Sequence, residues 1–160
     1  MLKIRLAQIA SAALLAAGCA TTSGPVTVAD TIARNPELST LSSLVQKAGL
    51  ADTLKAAGPY TVFAPTNDAF KAVPAKTLDE LGKDPARLKE VLSYHVLPAK
   101  MTSAEVKNGN AKTAQGANLA LAKAGTFVTV EEAMVQTADI TATNGVVHTV
   151  DRVLMPPVPR

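Results

Sequence analysis

The period of the apolar residues changes near Tyr94, and that change constrains the fold more than any other feature of the chain. Upstream, Leu38, Leu41, Leu44, Val45 and Ala48 recur three and four apart, the spacing of one face of a helix. Gly49 follows as a left-handed stop, and Leu50–Ala57 predicts a second short helix ended by Gly58-Pro59. Tyr60–Ala64 is β-branched and aromatic and lies between prolines, which predicts a short buried strand. Thr66 can cap a helical turn running through Phe70 and Val73. Thr77-Leu78-Asp79-Glu80 has capping-box spacing, and Asp84-Pro85 offers an N-cap followed by Pro at the first helical position, ahead of Leu88, Val91 and Leu92. Downstream of Tyr94, strand-like runs alternate with turn residues, most clearly Phe127–Val130 and Val146–Val150. Asn144-Gly145 suits a two-residue type I′ turn, in which both central residues take positive φ. A helix-rich first half and a strand-rich second half predict an α+β domain rather than βαβ alternation.

The 160 residues suffice for one domain with a full core. The 16 Lys and Arg against 13 Asp and Glu give a net charge of +3, but Lys3 and Arg5 precede residue 19. Beyond residue 18 the count is 14 against 13, a net of +1. A nearly neutral body lacks the clustered cations that nucleic acid requires, so no nucleic-acid partner is expected.

The two early cations open a leader. Leu6–Ala17 is a mostly apolar run, shorter than the roughly 20 residues that span a bilayer and of the length of a secretory signal. Ala16-Ala17-Gly18 then precede Cys19, the single cysteine, an arrangement similar to the bacterial lipobox. The boundaries expected are a lipoprotein signal peptide over 1–18, a lipidated Cys19 with a short tether over 19–25, a domain over 26–156 and a tail over 157–160. An ordinary signal-peptidase cut and secretion is the alternative. A mature body without further cysteine can form no internal disulfide.

Chemistry-bearing motifs are sparse. His95 and His148 are far apart, and a zinc site needs three or four N, S or O ligands, so neither spacing predicts a metal. By strand alternation His148 sits beside Val146 and Val150 and reads as a satisfied structural histidine; His95 follows a helix end and reads the same way. Ser93 is close to His95, but no nucleophile elbow, Walker loop or dinucleotide fingerprint is present. Asp79-Glu80 and Glu131-Glu132 read as a capping pattern and a solvated turn. Tyr60, Phe63, Phe70, Tyr94 and Phe127 all fall in apolar runs and read as core.

Three segments, in order, resemble the fasciclin (FAS1) domain: Thr61–Phe70, Tyr94-His95-Val96-Leu97, and Asn144–Leu154. The resemblance implies a twisted β-wedge or sandwich with helices packed alongside. It also implies an extracytoplasmic adhesion or interaction module without catalysis or cofactor. In animal members a Tyr-His segment and an Asp-Ile dipeptide are implicated in receptor binding; here they fall on Tyr94, His95, Asp139 and Ile140. The partner expected is a cell-surface or matrix protein or glycan, with the membrane engaged through Cys19. The alternative function is a periplasmic binding protein for a small apolar ligand or lipid held between helices and sheet.

Overall fold

In the computed structural model, which describes residues 26–157, a parallel pair of strands forms the spine of a seven-stranded sheet. These are β1 (Tyr60–Pro65) and β7 (Gly145–Val150), in register from Tyr60↔Gly145 to Pro65↔Val150. Both are buried on both faces, which is why both are near-continuous apolar or β-branched runs. The other strands are β2 (Val96–Leu97), β3 (Gly109–Lys112), β4 (Asn118–Ala124), β5 (Phe127–Val130) and β6 (Ala133–Ala142). Their spatial order is β2-β1-β7-β6-β5-β4-β3, and every pairing except β1–β7 is antiparallel.

The helices precede or interrupt the spine: α1 (Val28–Arg34), α2 (Ser39–Lys47), α3 (Ala51–Lys55), α4 (Asn67–Lys71), α5 (Ala75–Lys83) and α6 (Pro85–Tyr94). They bury Ile32, Leu41, Leu54, Leu88 and Val91 against one face of the spine, where Val62, Ala64 and Val147 point. The opposite face, carrying Phe63 and Val150, packs on Leu119, Leu121, Val128 and Val130 of β4 and β5. Strands distant in the sheet order therefore touch, so the sheet curls over into a wedge with two cores. The bend is made in β6, whose register against β7 shifts twice, between Val135 and Thr137 and between Thr137 and Ile140.

Local signals are used largely as the sequence predicts. Gly49 takes φ 68 behind α2. The Thr66 hydroxyl accepts from the Ala69 N–H at 3.3 Å, and the Asp84 carboxylate accepts from the Ala86 and Arg87 N–H groups at 3.0 and 3.1 Å. A further cap lies ahead of α1, where Thr27 and Asp30 form a reciprocal capping box.

Four expectations are corrected. Helix α5 begins two residues before Thr77, behind Pro74 and with no side-chain cap, so Thr77–Glu80 is not a capping box. The β6–β7 turn is Thr143-Asn144, since Ala142 already pairs with Gly145, and neither turn residue has positive φ. Gly145 is a glycine for another reason: a Cβ there would lie 1.9 Å from the Tyr60 carbonyl oxygen of the adjacent strand. Phe127 is not core; its side chain is 63% exposed on the outer face of β5, because its neighbours Val128 and Val130 take the inner positions. Leu38, read as the first residue of the helical face, instead closes a 3-10 turn at Pro36–Leu38 that Asn35 caps, and α2 starts one residue later.

Candidate functional site

The second bulge of β6 builds a polar cluster around His148. Ala138 and Asp139 together oppose His148, and Asp139 sits at φ 59, a region Asp tolerates better than most residues. The bulge aims the Asp139 N–H at the His148 Nδ1, 3.1 Å away. On the other side of the ring, Nε2 donates to the Met101 carbonyl at 2.7 Å. The imidazole stacks on Phe63, with centroids 5.6 Å apart. Burial holds its pKa below the ordinary histidine value. The Asp139 carboxylate accepts from the Ser103 N–H at 2.7 Å and from the Ser103 hydroxyl, and these bonds lower its pKa. Thr61 clamps the same segment, donating to the Ala99 carbonyl at 2.6 Å and accepting from the Met101 N–H at 2.8 Å. The loop after β2 is thus pinned to the spine at three places.

Tyr94 and His95 lie at the end of α6 and are both buried. His95 donates from Nδ1 to the Val91 carbonyl at 2.8 Å and accepts at Nε2 from the Leu154 N–H at 3.0 Å. Complete burial pushes its pKa down to about 4. The Tyr94 hydroxyl is shared between the Asn118 carbonyl and the Glu131 carboxylate, at 3.2 and 3.3 Å. Burial and the neighbouring carboxylate raise it to about 12. Glu131 stands exposed in its turn as expected, and it also accepts from the Ala120 N–H at 2.7 Å, which staples β4 to the β5–β6 turn.

The four residues expected to meet a partner therefore divide. Tyr94 and His95 are inside, with their polar atoms committed to the fold, and present no surface to a partner. Asp139 is exposed and Ile140 half-buried against the helical core. The structure does not bring the two pairs together into one face: His95 is tied to Leu154, and Asp139 to Ser103 and His148. Cys19 and the leader lie outside the described residues.

Chemically, the Ser103, Asp139 and His148 group is not a nucleophile triad. The Ser103 hydroxyl donates to a carboxylate of lowered pKa, and the imidazole N–H that could relay a proton is spent on Met101. Ser93 has no base in the His95 ring, whose two nitrogens are both engaged. Among the described residues no three His, Asp or Glu side chains are grouped to hold a metal ion.

A concavity of about 810 Å³ lies elsewhere, between α4–α6 and the segment after β7. Its floor is the outer side of the helical core, at Ala69, Leu81 and Val91. Val73 and Pro74 form one wall, and Val153, Met155 and Pro156 the other. Arg87 and Glu90 stand on one rim; Glu132 and Arg152 stand on the opposite rim, 3.7 Å apart. The sequence predicts a tail from residue 157, whereas Pro157 lines this cleft together with Met155 and Pro156. No single motif announces it, because its walls come from four separated segments.

A curled seven-stranded sheet with helices packed on it and two internally bonded histidines defines the fold of the described residues. Comparison with known proteins gives its family. Residues 36–156 match the family model of the fasciclin domain, and the chain belongs to that family. It is 42% identical over 143 residues to protein sll1483 of Synechocystis, covering 87% of this chain and 78% of that protein. It is 38% identical over 135 residues to the cell surface glycolipoprotein MPB83 of Mycobacterium bovis, covering 81% of this chain and 60% of that protein. The FAS1 domain pair of the insect cell adhesion molecule fasciclin I shares the fold, with a TM-score of 0.66 at 16% identity over 82% of this chain and 51% of that one. Fasciclin domains are adhesion-related and generally not catalytic. No helix among the described residues is long and apolar enough to cross a membrane.

Proposed function

We propose that the protein is an extracytoplasmic, membrane-tethered interaction module that acts by binding, without turnover. The observation that carries this is the commitment of its reactive side chains. Both imidazoles, the Ser103 hydroxyl and the Asp139 carboxylate are bonded to the fold itself. What such a domain can offer is a surface. A relative whose name makes it a surface glycolipoprotein supports the expectation that Cys19, at the end of an apolar leader, carries lipid. Two acyl chains hold a protein at a bilayer where one gives marginal binding, and many copies on one surface raise the effective concentration of a weak contact.

Two measurements test the proposal. Intact-mass analysis of the native protein should show a mature N-terminus at Cys19 carrying lipid, and Cys19→Ser should move the protein to the soluble fraction or leave it unprocessed. Cleavage elsewhere with an unmodified Cys19 overturns the tether. Binding of cells bearing the protein to a matrix or cell surface should exceed that of cells lacking it, and equal binding overturns the adhesive role.

A further inference from the structure

Residues 1–25 join the domain at one end of the sheet. The Val26 carbonyl accepts from the Thr143 N–H in the β6–β7 turn at 2.9 Å, beside the Asn144 side chain that also holds the start of α1. From that turn β7 runs six residues, roughly 20 Å at strand rise, to Val150. The cleft begins at the next residue, Asp151. Helix α4, which follows the parallel strand β1, is at that same far end. The cleft is therefore at the pole of the domain opposite the entry of the leader. Two of the large apolar side chains left exposed gather there. Met155 is in the cleft wall, and Met134 exchanges backbone and side-chain bonds with Asp151 at 3.1 and 2.8 Å.

The lining selects among occupants. A glycan site ordinarily offers an aromatic platform, and none of the lining side chains is aromatic. Nucleic acid needs a basic groove, but carboxylates stand on both rims. A single-chain lipid needs an enclosed tunnel and a head site of one sign; this cleft is open, and each rim mixes Arg with Glu. An extended polypeptide matches each feature. Its apolar side chains meet the floor and the flexible Met155, a residue type that adapts to varied apolar partners. Its backbone amides meet Gln115 and Thr77, which both donate and accept. Its side chains of either sign find an opposite charge on the rim.

We propose that the cleft between α4–α6 and Asp151–Pro157 docks an extended segment of a partner protein, anchored by apolar side chains, at the pole facing away from the leader. This deepens the interaction-module reading and rests on it for the partner's presence in the cell, but the docking site can be tested by itself.

A library of displayed dodecapeptides is panned against the full mature protein, and enriched sequences are resynthesised and titrated. Palmitate and a hexasaccharide of glucose are titrated in parallel. The expected result is enriched peptides with spaced apolar residues, no saturable binding of palmitate or saccharide, and at least a tenfold loss of peptide affinity in Met155→Asp at an unchanged melting temperature. Met155→Leu should retain binding, and Arg87→Glu should lower the share of acidic residues in the enriched pool and raise that of basic ones. Phe127→Ser, on the outer face of β5, should leave affinity unchanged. Peptide binding indifferent to Met155→Asp and Arg87→Glu, or stoichiometric palmitate binding that Met155→Asp abolishes, overturns the proposal. Cells that fail to adhere although the protein binds peptides in the cleft overturn the adhesive role and leave the docking site standing. Adhesion that survives while no peptide binds overturns the docking site alone.

Discussion

The two imidazoles are held as opposite tautomers. A carbonyl accepts only, so the ring nitrogen facing it must carry the proton: Nδ1 in His95, facing Val91, and Nε2 in His148, facing Met101. The remaining nitrogen of each accepts a backbone N–H. A second proton would face that N–H, so both rings resist protonation by geometry as well as by burial. Nitrogen-15 shifts of the imidazoles should show these two tautomers at pH 7, and neither ring should titrate near pH 6.5. The pH dependence of stability follows. His95 has its folded pKa depressed to about 4, so its contribution is fully present above the unfolded value near 6.5 and is lost as pH falls toward 4. The lowered carboxylates Asp30, Glu105 and Asp139 act in the same direction below about pH 4. The melting temperature should decline on acidification from pH 6.5, before carboxylates protonate, by the equivalent of roughly 3 kcal/mol at most from His95. A flat profile between pH 6.5 and 4.5 would contradict the buried neutral ring. Asn144 is a third residue whose side chain is committed to the fold. It accepts from the Val28 N–H at 2.8 Å and donates to the Leu54 and Ala56 carbonyls at 2.7 and 2.8 Å, joining α1, the end of α3 and the spine. Asn144→Ala removes all three bonds, and denaturant unfolding should show a loss of about 1–3 kcal/mol or more.

Among the elements, the β1–β7 pair is the one that tolerates least. Two parallel strands buried on both faces leave no room for backbone displacement, and Gly145 lies against the Tyr60 backbone. Gly145→Ala should abolish folding or lower stability by more than 4 kcal/mol, the range reserved for severe steric conflict, as read by circular dichroism and melting. Asp84→Ala, which removes only the exposed N-cap of α6, should cost about 1 kcal/mol. The contrast between the two separates spine from periphery. The same elements show what a sequence can reveal. Strands β1 and β7 were legible because β-branched runs sit between turn residues, and α6 because Asp84-Pro85 marks its start. Strand β4 escaped because Leu119 and Leu121 alternate with Ala120 and Ala122, so inside and outside differ in size rather than polarity. Strand β6 escaped because its two bulges break the period of two on which strand recognition rests. The polar cluster was half legible: alternation placed His148 on the spine, yet its partners Asp139 and Met101 are brought to it by the bulge and the loop. The cleft was not legible, since it depends on how four segments converge.

At the scale of the whole molecule, the domain has two unlike poles, joined by the parallel spine. Val26 is bonded at the Thr143-Asn144 turn, and the cleft opens beyond Val150. On the lipid tether proposed above, residues 20–25 reach at most about 21 Å when fully extended. The turn is thereby kept near the lipid surface while the cleft is carried to the outer side. The absence of any cysteine after Cys19 makes this measurable, because a single introduced thiol is unique. Thr143 is exposed at the entry pole and Pro157 at the cleft pole, so Thr143→Cys and Pro157→Cys leave the core untouched. Both variants, reconstituted through their lipid into vesicles, are labelled with a maleimide carried on a bulky dextran. The Pro157→Cys thiol should react several-fold faster than the Thr143→Cys thiol, and detergent should bring the two rates together. Equal rates on the intact vesicle would mean that the domain tumbles freely on its tether or lies on its side, and the outward presentation of the cleft would then be wrong.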